Sequence, residues 1–155
     1  MNVLSLEYRH FFVIIFVVLS VSGVSAKVQK STGVLTVKLS GLKNSRGVIR
    51  LALFDSARTF SDRRMHIQGA VRTATVEIND KQAVWRASQL PFGDYAIRAF
   101  HDEDGKGRFK VNRLGIPQYE YGFSNNARAL FGPPSFKAAK FEFKEDRTLS
   151  ILLHR

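Results

Sequence analysis

From residue 33 onwards, apolar and polar side chains alternate in short runs that are separated by turn-forming residues. In the run GVLTVKLS (33–40), Leu35, Val37 and Leu39 occupy every second position. Successive side chains of a strand point to opposite faces of a sheet, so this pattern predicts a half-buried strand. The same alternation predicts six further strands: 48–54, 70–78, 81–90, 95–101, 138–143 and 148–153.

Seven short strands without a convincing amphipathic helix predict an all-β fold, a single seven-stranded antiparallel Greek-key β-sandwich. A small closed barrel is the alternative. We expect the first two strands to form a hairpin across the turn-rich residues 41–47, and the last two to form a closing pair. Phe60 is expected to plug the core from a polar stretch, and Trp85 to pack in the core.

The N-terminal residues 1–26 have the features of a cleaved signal peptide. Arg9 precedes an unbroken apolar run at 11–19, and small residues follow up to Ala26. An uncleaved anchor is the alternative, but a spanning helix needs about 20 predominantly apolar residues and this run is shorter. We therefore expect a periplasmic or secreted protein with a signal peptide (1–26), a short extension (27–32) and a β-sandwich domain (33–155).

Composition narrows the chemistry of this domain. The chain has no Cys, which excludes disulfides, Cys-type zinc sites and thiol nucleophiles. Its net charge at pH 7 is +11, and Glu7 and Arg9 cancel within the signal peptide. Such a charge favours an anionic partner in the cell envelope, such as a lipid head group or a glycan. Another envelope protein is a further candidate partner, and export makes nucleic acid the least expected one. A basic surface that serves only solubility is the alternative to an anionic partner.

Residues 102–136 form a long segment without clear periodicity. Unstructured connections beyond about 12–15 residues are uncommon in compact domains and are often functional. Five aromatic side chains in the segment are expected to anchor it on the sheets, or alternatively to line a platform for a sugar or a peptide: Tyr119, Tyr121, Phe123, Phe131 and Phe136.

The start of this segment, DEDGKG, is similar to the opening of a calcium loop. With Asp102 at position 1, Asp104 falls at position 3 and Gly107 at position 6. The match then fails, because cations occupy positions 5, 9 and 12: Lys106, Lys110 and Arg113. A metal site, if present, would use Asp102, Asp104 and Asn112, with calcium as the candidate ion; an inert acidic turn is the alternative.

His101 stands beside these acids and is the one candidate for acid–base chemistry. A catalytic base needs a nucleophile or substrate within hydrogen-bond reach, and neither G-x-S-x-G nor H-E-x-x-H occurs. A histidine at a strand end that is satisfied by a neighbouring carboxylate is the commoner arrangement. We therefore expect no enzyme, and keep a hydrolase acting through His101 and nearby acids as an alternative. The candidate ligand-binding residues are His101, Asp102, Asp104, Glu120, Ser124 and Asn125.

Four motifs occur in order along the chain: LPFGDYA, HDEDGKG, LGIPQYEYGFSNN and GPPSF. Together they resemble the bacterial domain-of-unknown-function family 2141, over about residues 33–153. The resemblance implies an exported protein with a prealbumin-like or carboxypeptidase-regulatory-like β-sandwich, and it supplies no activity. Lys106 and Lys110 stand where the family loop H-D-x-N-G-N-G-x-x-D has Asn and Asp, so two oxygen donors are missing here.

The sequence thus predicts a non-catalytic binding or structural module of the bacterial cell envelope that uses residues 102–136. A calcium-stabilised structural module is the alternative.

Overall fold

The structure, a computed structural model, describes residues 31–60 and 67–155. The predicted signal peptide and most of the 27–32 extension lie outside these residues. Within them, no helix combines the length and the apolar character that crossing a membrane requires.

The described residues are mainly β, as predicted. Two four-residue helical turns, α1 (Ala57–Phe60) and α2 (Phe136–Ala139), and a 3-10 turn (Ser124–Asn126) interrupt the strands. The strands are β1 (Thr32–Ser40), β2 (Val48–Phe54), β3 (Arg72–Glu77), β4 (Ala83–Pro91), β5 (Gly93–Asp102), β6 (Tyr121–Phe123), β7 (Phe141–Phe143) and β8 (Arg147–Leu152).

These strands form two sheets. One has the order β4-β1-β8; the other has the order β3-β2-β5-β6, with β7 also pairing with β5. The prediction of seven antiparallel strands is wrong in two respects. The described residues contain an eighth strand, β6, whose three residues are too few to show an alternation, and β1 pairs with β8 in parallel.

The predicted hairpin between β1 and β2 is also wrong. β1 pairs with β4 and β8, whereas β2 pairs with β3 and β5 in the other sheet. The connection carries Leu42, which is buried in the core, so the chain crosses from one sheet to the other instead of turning back. The predicted closing pair is wrong in the same way, since β7 pairs with β5 and β8 with β1.

The main hydrophobic core lies between the two sheets and takes side chains from both, including Leu35, Leu51, Ile97 and Phe143. A second, smaller cluster lies on the other face of the five-stranded sheet and contains Phe60, which is fully buried as predicted. Trp85 is partly buried against the main core, also as predicted.

Strand β5 is buried on both faces because it separates the two clusters. Tyr95, Ile97 and Ala99 face the main core, and Ala96 faces the second one. This central strand ends at His101 and Asp102, which are both fully buried, so the long segment starts from a buried strand end.

Candidate functional site

His101 is fully buried, and each of its ring nitrogens faces an oxygen. Nε2 lies 2.6 Å from the backbone carbonyl of Arg46, and Nδ1 lies 3.1 Å from Oε2 of Glu120. A carbonyl can only accept, so Nε2 carries a proton and donates it. Nδ1 and the carboxyl group of Glu120 must then have a further proton between them to form their hydrogen bond. Both ring nitrogens are therefore bonded within the fold, and the ring has no exposed face that a substrate could reach.

Glu120 reaches His101 because β6 returns the chain to the edge of β5. The backbone N–H of His101 donates to the carbonyl of Glu120, 2.8 Å away. Glu120 is 4 % exposed, and Lys43 Nζ lies 3.6 Å from its Oε1. His101 and Glu120, which were both predicted to bind a ligand, are therefore bonded to each other, and this contact ties the long segment to the end of β5.

Asp102 holds the turn that begins the segment. Its Oδ2 accepts a hydrogen bond from Arg50 Nε at 2.9 Å and from the backbone N–H of Gly107 at 2.8 Å. The side chain is fully buried, and its Oδ1 has no hydrogen-bond partner among the residues that the structure describes. Because a buried charge costs free energy unless it is paired, the guanidinium of Arg50 is the group that stabilises this carboxylate.

The next two acids are at the surface and also have partners. Glu103 binds Asn44 and Arg46, and the hydrogen bond from Asn44, followed by that from Arg46, lowers its pKa. A hydrogen bond from Tyr119, assisted by Lys106, lowers the pKa of Asp104 to about 2. Burial, and then the bond to Asp104, raises the pKa of Tyr119 to about 12.

These two pKa shifts make the stability of the fold depend on pH at both the acidic and the alkaline end. The depressed pKa of Asp104 means that its contribution to stability is present above its usual value of 3.8 and is lost as the pH falls towards about 2. The raised pKa of Tyr119 means that its contribution is present below 10.0 and is lost as the pH rises towards about 12.

Asn112 stabilises a small hairpin through its side-chain oxygen. Its Oδ1 accepts from the backbone N–H groups of Leu114 and Ile116, each at 2.9 Å. Backbone bonds from Gln118 to Lys110 and from residue 112 to residue 116 complete the hairpin. The tip is therefore a rigid turn that presents Leu114 and Ile116.

Ser124 and Asn125 connect β5 to α2. The buried hydroxyl of Ser124 donates to the carbonyl of Ala139 at 2.6 Å and accepts from the N–H of Ile97 at 2.8 Å. Asn125 is exposed, but its amide donates to the carbonyl of Lys140 at 2.7 Å. Ser124 thus has no free group for a ligand.

The sequence-predicted site is therefore mainly a scaffold. Four of its six residues are buried in the fold, and only Asp104 and Asn125 are exposed. The carboxyl groups of Asp102 and Glu120 are buried, and each is paired within the fold, Asp102 with Arg50 and Glu120 with His101 and Lys43. Within residues 31–60 and 67–155, no group of three or more His, Asp or Glu side chains is placed to hold a metal ion.

The aromatic side chains of the segment behave as predicted with one exception. Tyr119 and Phe123 are buried, and Tyr121 and Phe136 are partly buried, so they anchor the segment. Phe131 is 94 % exposed and anchors nothing.

Phe131 belongs to an exposed apolar surface that sequence reasoning missed. It lies with Leu114, Ile116 and Leu130 around a groove of about 420 Å³ beside β6. The four side chains are between 54 % and 96 % exposed. We call them the apolar tips. Their signal in the sequence was the placing of bulky apolar residues directly beside the turn residues Gly115 and Gly132.

The surroundings of the apolar tips are basic. Between Gly105 and Phe141 the only acidic residue is the buried Glu120. The same stretch contains seven basic residues: Lys106, Arg108, Lys110, Arg113, Arg128, Lys137 and Lys140. Two of these cations have acidic partners, since Lys106 pairs with Asp104 and Lys140 with Asp94. The rest of the stretch combines exposed apolar tips with an excess of positive charge.

A family model described as "Uncharacterized protein conserved in bacteria (DUF2141)" matches residues 37–150. No curated protein and no solved structure matches the chain. The match covers most of the chain, so the chain belongs to this bacterial family, as the motifs predicted.

Proposed function

We propose that this member of the DUF2141 family is an exported, non-catalytic binding module of the bacterial cell envelope, and that residues 105–136 bind an anionic envelope component. The observation that carries the proposal is the separation of the segment into two layers. Glu120, which is the single acidic residue of 105–136, and the hydroxyl of Ser124 turn inward and hold the fold, while the exposed surface carries the cations and the apolar tips. Such a surface attracts anions and repels cations.

The inward layer also argues against a hydrolase. His101 would have to exchange a proton with a substrate, yet its Nε2 is bound to a backbone carbonyl and its Nδ1 to Glu120. A general base must lie within hydrogen-bond reach of the proton that it removes, and no substrate can approach a ring that is fully buried.

The test measures binding to three probes: lipopolysaccharide, an acidic polysaccharide without acyl chains, and phosphatidylglycerol vesicles. We expect at least one probe to bind, and added salt to weaken the binding because exposed charges are screened. Replacing Arg113 and Arg128 by Gln should weaken it further. Replacing Lys38 and Arg86, which lie on the outer face of the three-stranded sheet, is the matched control. A chain that binds none of the three probes would refute the proposal.

A calcium-stabilised structural module is the second candidate, and one observation favours it. Asp102 Oδ1 is buried and has no hydrogen-bond partner within residues 31–60 and 67–155, and a cation would satisfy it. A ligand that binds only the folded state raises the unfolding midpoint by mass action. A melt with calcium and then with excess EDTA therefore distinguishes the two candidates, since only the calcium module predicts a shift that EDTA reverses.

A further inference from the structure

We propose that the apolar tips insert into an anionic lipid surface, with the basic residues around them bound to the head groups. The inference rests on the function proposed above and names its partner. Two neighbouring loops carry the tips: the hairpin 110–118 supplies Leu114 and Ile116, and the turn 128–132 supplies Leu130 and Phe131.

The apolar character of the tips favours a bilayer over a soluble anion as the partner. Leu130 and Phe131 are 96 % and 94 % exposed, and Leu114 is 83 % exposed. Exposed apolar residues that cluster and are rimmed by polar ones mark interaction sites. A glycan would pair with the cations and could stack on the ring of Phe131, but it would leave the aliphatic Leu114, Ile116 and Leu130 in water, whereas the acyl region of a bilayer buries all four side chains.

The charges fit the same partner. Arg113 precedes Leu114 in the hairpin tip, and Arg128 lies two residues before Leu130 in the turn. Both are exposed, and neither forms an ion pair among the residues described. The residues that line the groove between the loops include no charged side chain. Cations beside inserted apolar groups are the arrangement that surface-bound proteins use on anionic lipid.

The hairpin that carries Leu114 and Ile116 is held in a fixed shape, which reduces the entropy lost on binding. Asn112 accepts two backbone N–H groups within the hairpin tip. Tyr121 and Phe123, which lie on β6, line the base of the groove. The hairpin side of the surface is therefore formed before lipid is present.

The experiment measures sedimentation of the protein, in the form that a bacterial host exports, with vesicles of phosphatidylglycerol and of phosphatidylcholine. Any cleavage of residues 1–26 is then the same in every variant. We expect binding to the anionic vesicles and little to the zwitterionic ones. Leu130→Ser together with Phe131→Ser should lower the affinity by about tenfold or more. Arg128→Gln should lower it by about fivefold.

Val84→Ser is the matched control, because Val84 is 54 % exposed on β4, away from the groove. It should change the affinity by less than about twofold. All of these positions are exposed, so the variants should fold, and circular dichroism checks this.

Equal vesicle binding by the Leu130/Phe131 variant and the Val84 variant would overturn the inference. Binding of the acidic polysaccharide without any vesicle binding would also overturn it, yet would leave the proposed function intact. Failure to bind every anionic probe would overturn both.

Discussion

Replacing His101 by Phe tests whether the buried histidine is a structural bridge. The ring of Phe is larger than imidazole, so the change removes two hydrogen bonds without opening a cavity, and any cost of overpacking is common to both His101→Phe proteins of the cycle below. It leaves the Arg46 carbonyl and the carboxyl group of Glu120 without their partner in a buried site. Breaking a buried pair by removing one member costs about 3–5 kcal/mol. We expect the free energy of unfolding to fall by about that amount.

A double-mutant cycle then isolates the interaction. Glu120→Leu alone should cost less, about 1–3 kcal/mol, because a neutral His101 keeps its bond to the Arg46 carbonyl. The double variant His101→Phe with Glu120→Leu removes both polar partners, so it should be more stable than the sum of the single changes predicts. The expected coupling is about 1–3 kcal/mol.

Urea unfolding followed by circular dichroism measures all four proteins. His154→Phe is the control. The ring centroids of His154 and Tyr121 lie 4.9 Å apart, and the buried Nδ1 of His154 has no hydrogen-bond partner among the described residues. This control variant should change stability by less than about 1 kcal/mol. Additivity of the two single changes within about 0.5 kcal/mol, or a cost of His101→Phe no larger than that of His154→Phe, would refute the bridge.

Three further predictions concern the frame of the segment. Tyr119→Phe removes the main hydrogen bond to Asp104, so the pKa of that carboxyl group should rise from about 2 towards 3.8 in an NMR titration; an unchanged pKa would contradict this. Gly47→Ala should destabilise the fold by more than about 2 kcal/mol, because φ is +71° and the new Cβ would lie 2.2 Å from a backbone carbonyl of β5. Gly105→Ala is the comparison: φ is +70°, but no atom lies within 4 Å of the new Cβ, so the free energy of unfolding should fall by only about 1 kcal/mol. Equal losses for the two glycine variants would contradict the clash at Gly47. Ser124→Ala should cost about 1–3 kcal/mol in urea unfolding, since it leaves two buried backbone groups unpaired; a neutral change would contradict that role.

The sequence predicts strands well where one or both faces are buried. β1 and β5 were found from alternation, because burial on a core face requires apolar side chains at every second position. It does not predict which strands pair. Residues 41–47 have the composition of a hairpin turn, but Leu42 anchors them in the core and the chain changes sheet. Partner choice depends on contacts far apart in sequence, which no local pattern contains.

The candidate site was likewise predictable only in part. The sequence predicts that a carboxylate satisfies His101, but not that Glu120 provides it, since the return of the chain through β6 brings the two together. The candidate residues were chosen because they are polar, and polar groups near a strand end serve the fold as readily as a ligand. The apolar tips were missed because Phe131 was expected to anchor the segment with the other aromatic residues, and Leu114, Ile116 and Leu130 carry no pattern that shows their exposure.

Insertion of the tips into lipid is the central claim, and fluorescence tests it most directly. The chain has one Trp, so Trp85→Phe provides a background without tryptophan fluorescence. In that background, Phe131→Trp should show a blue shift on phosphatidylglycerol vesicles and quenching by brominated acyl chains. Val84→Trp in the same background should show neither. A spectrum of the Phe131→Trp protein that the vesicles leave unchanged would contradict the account.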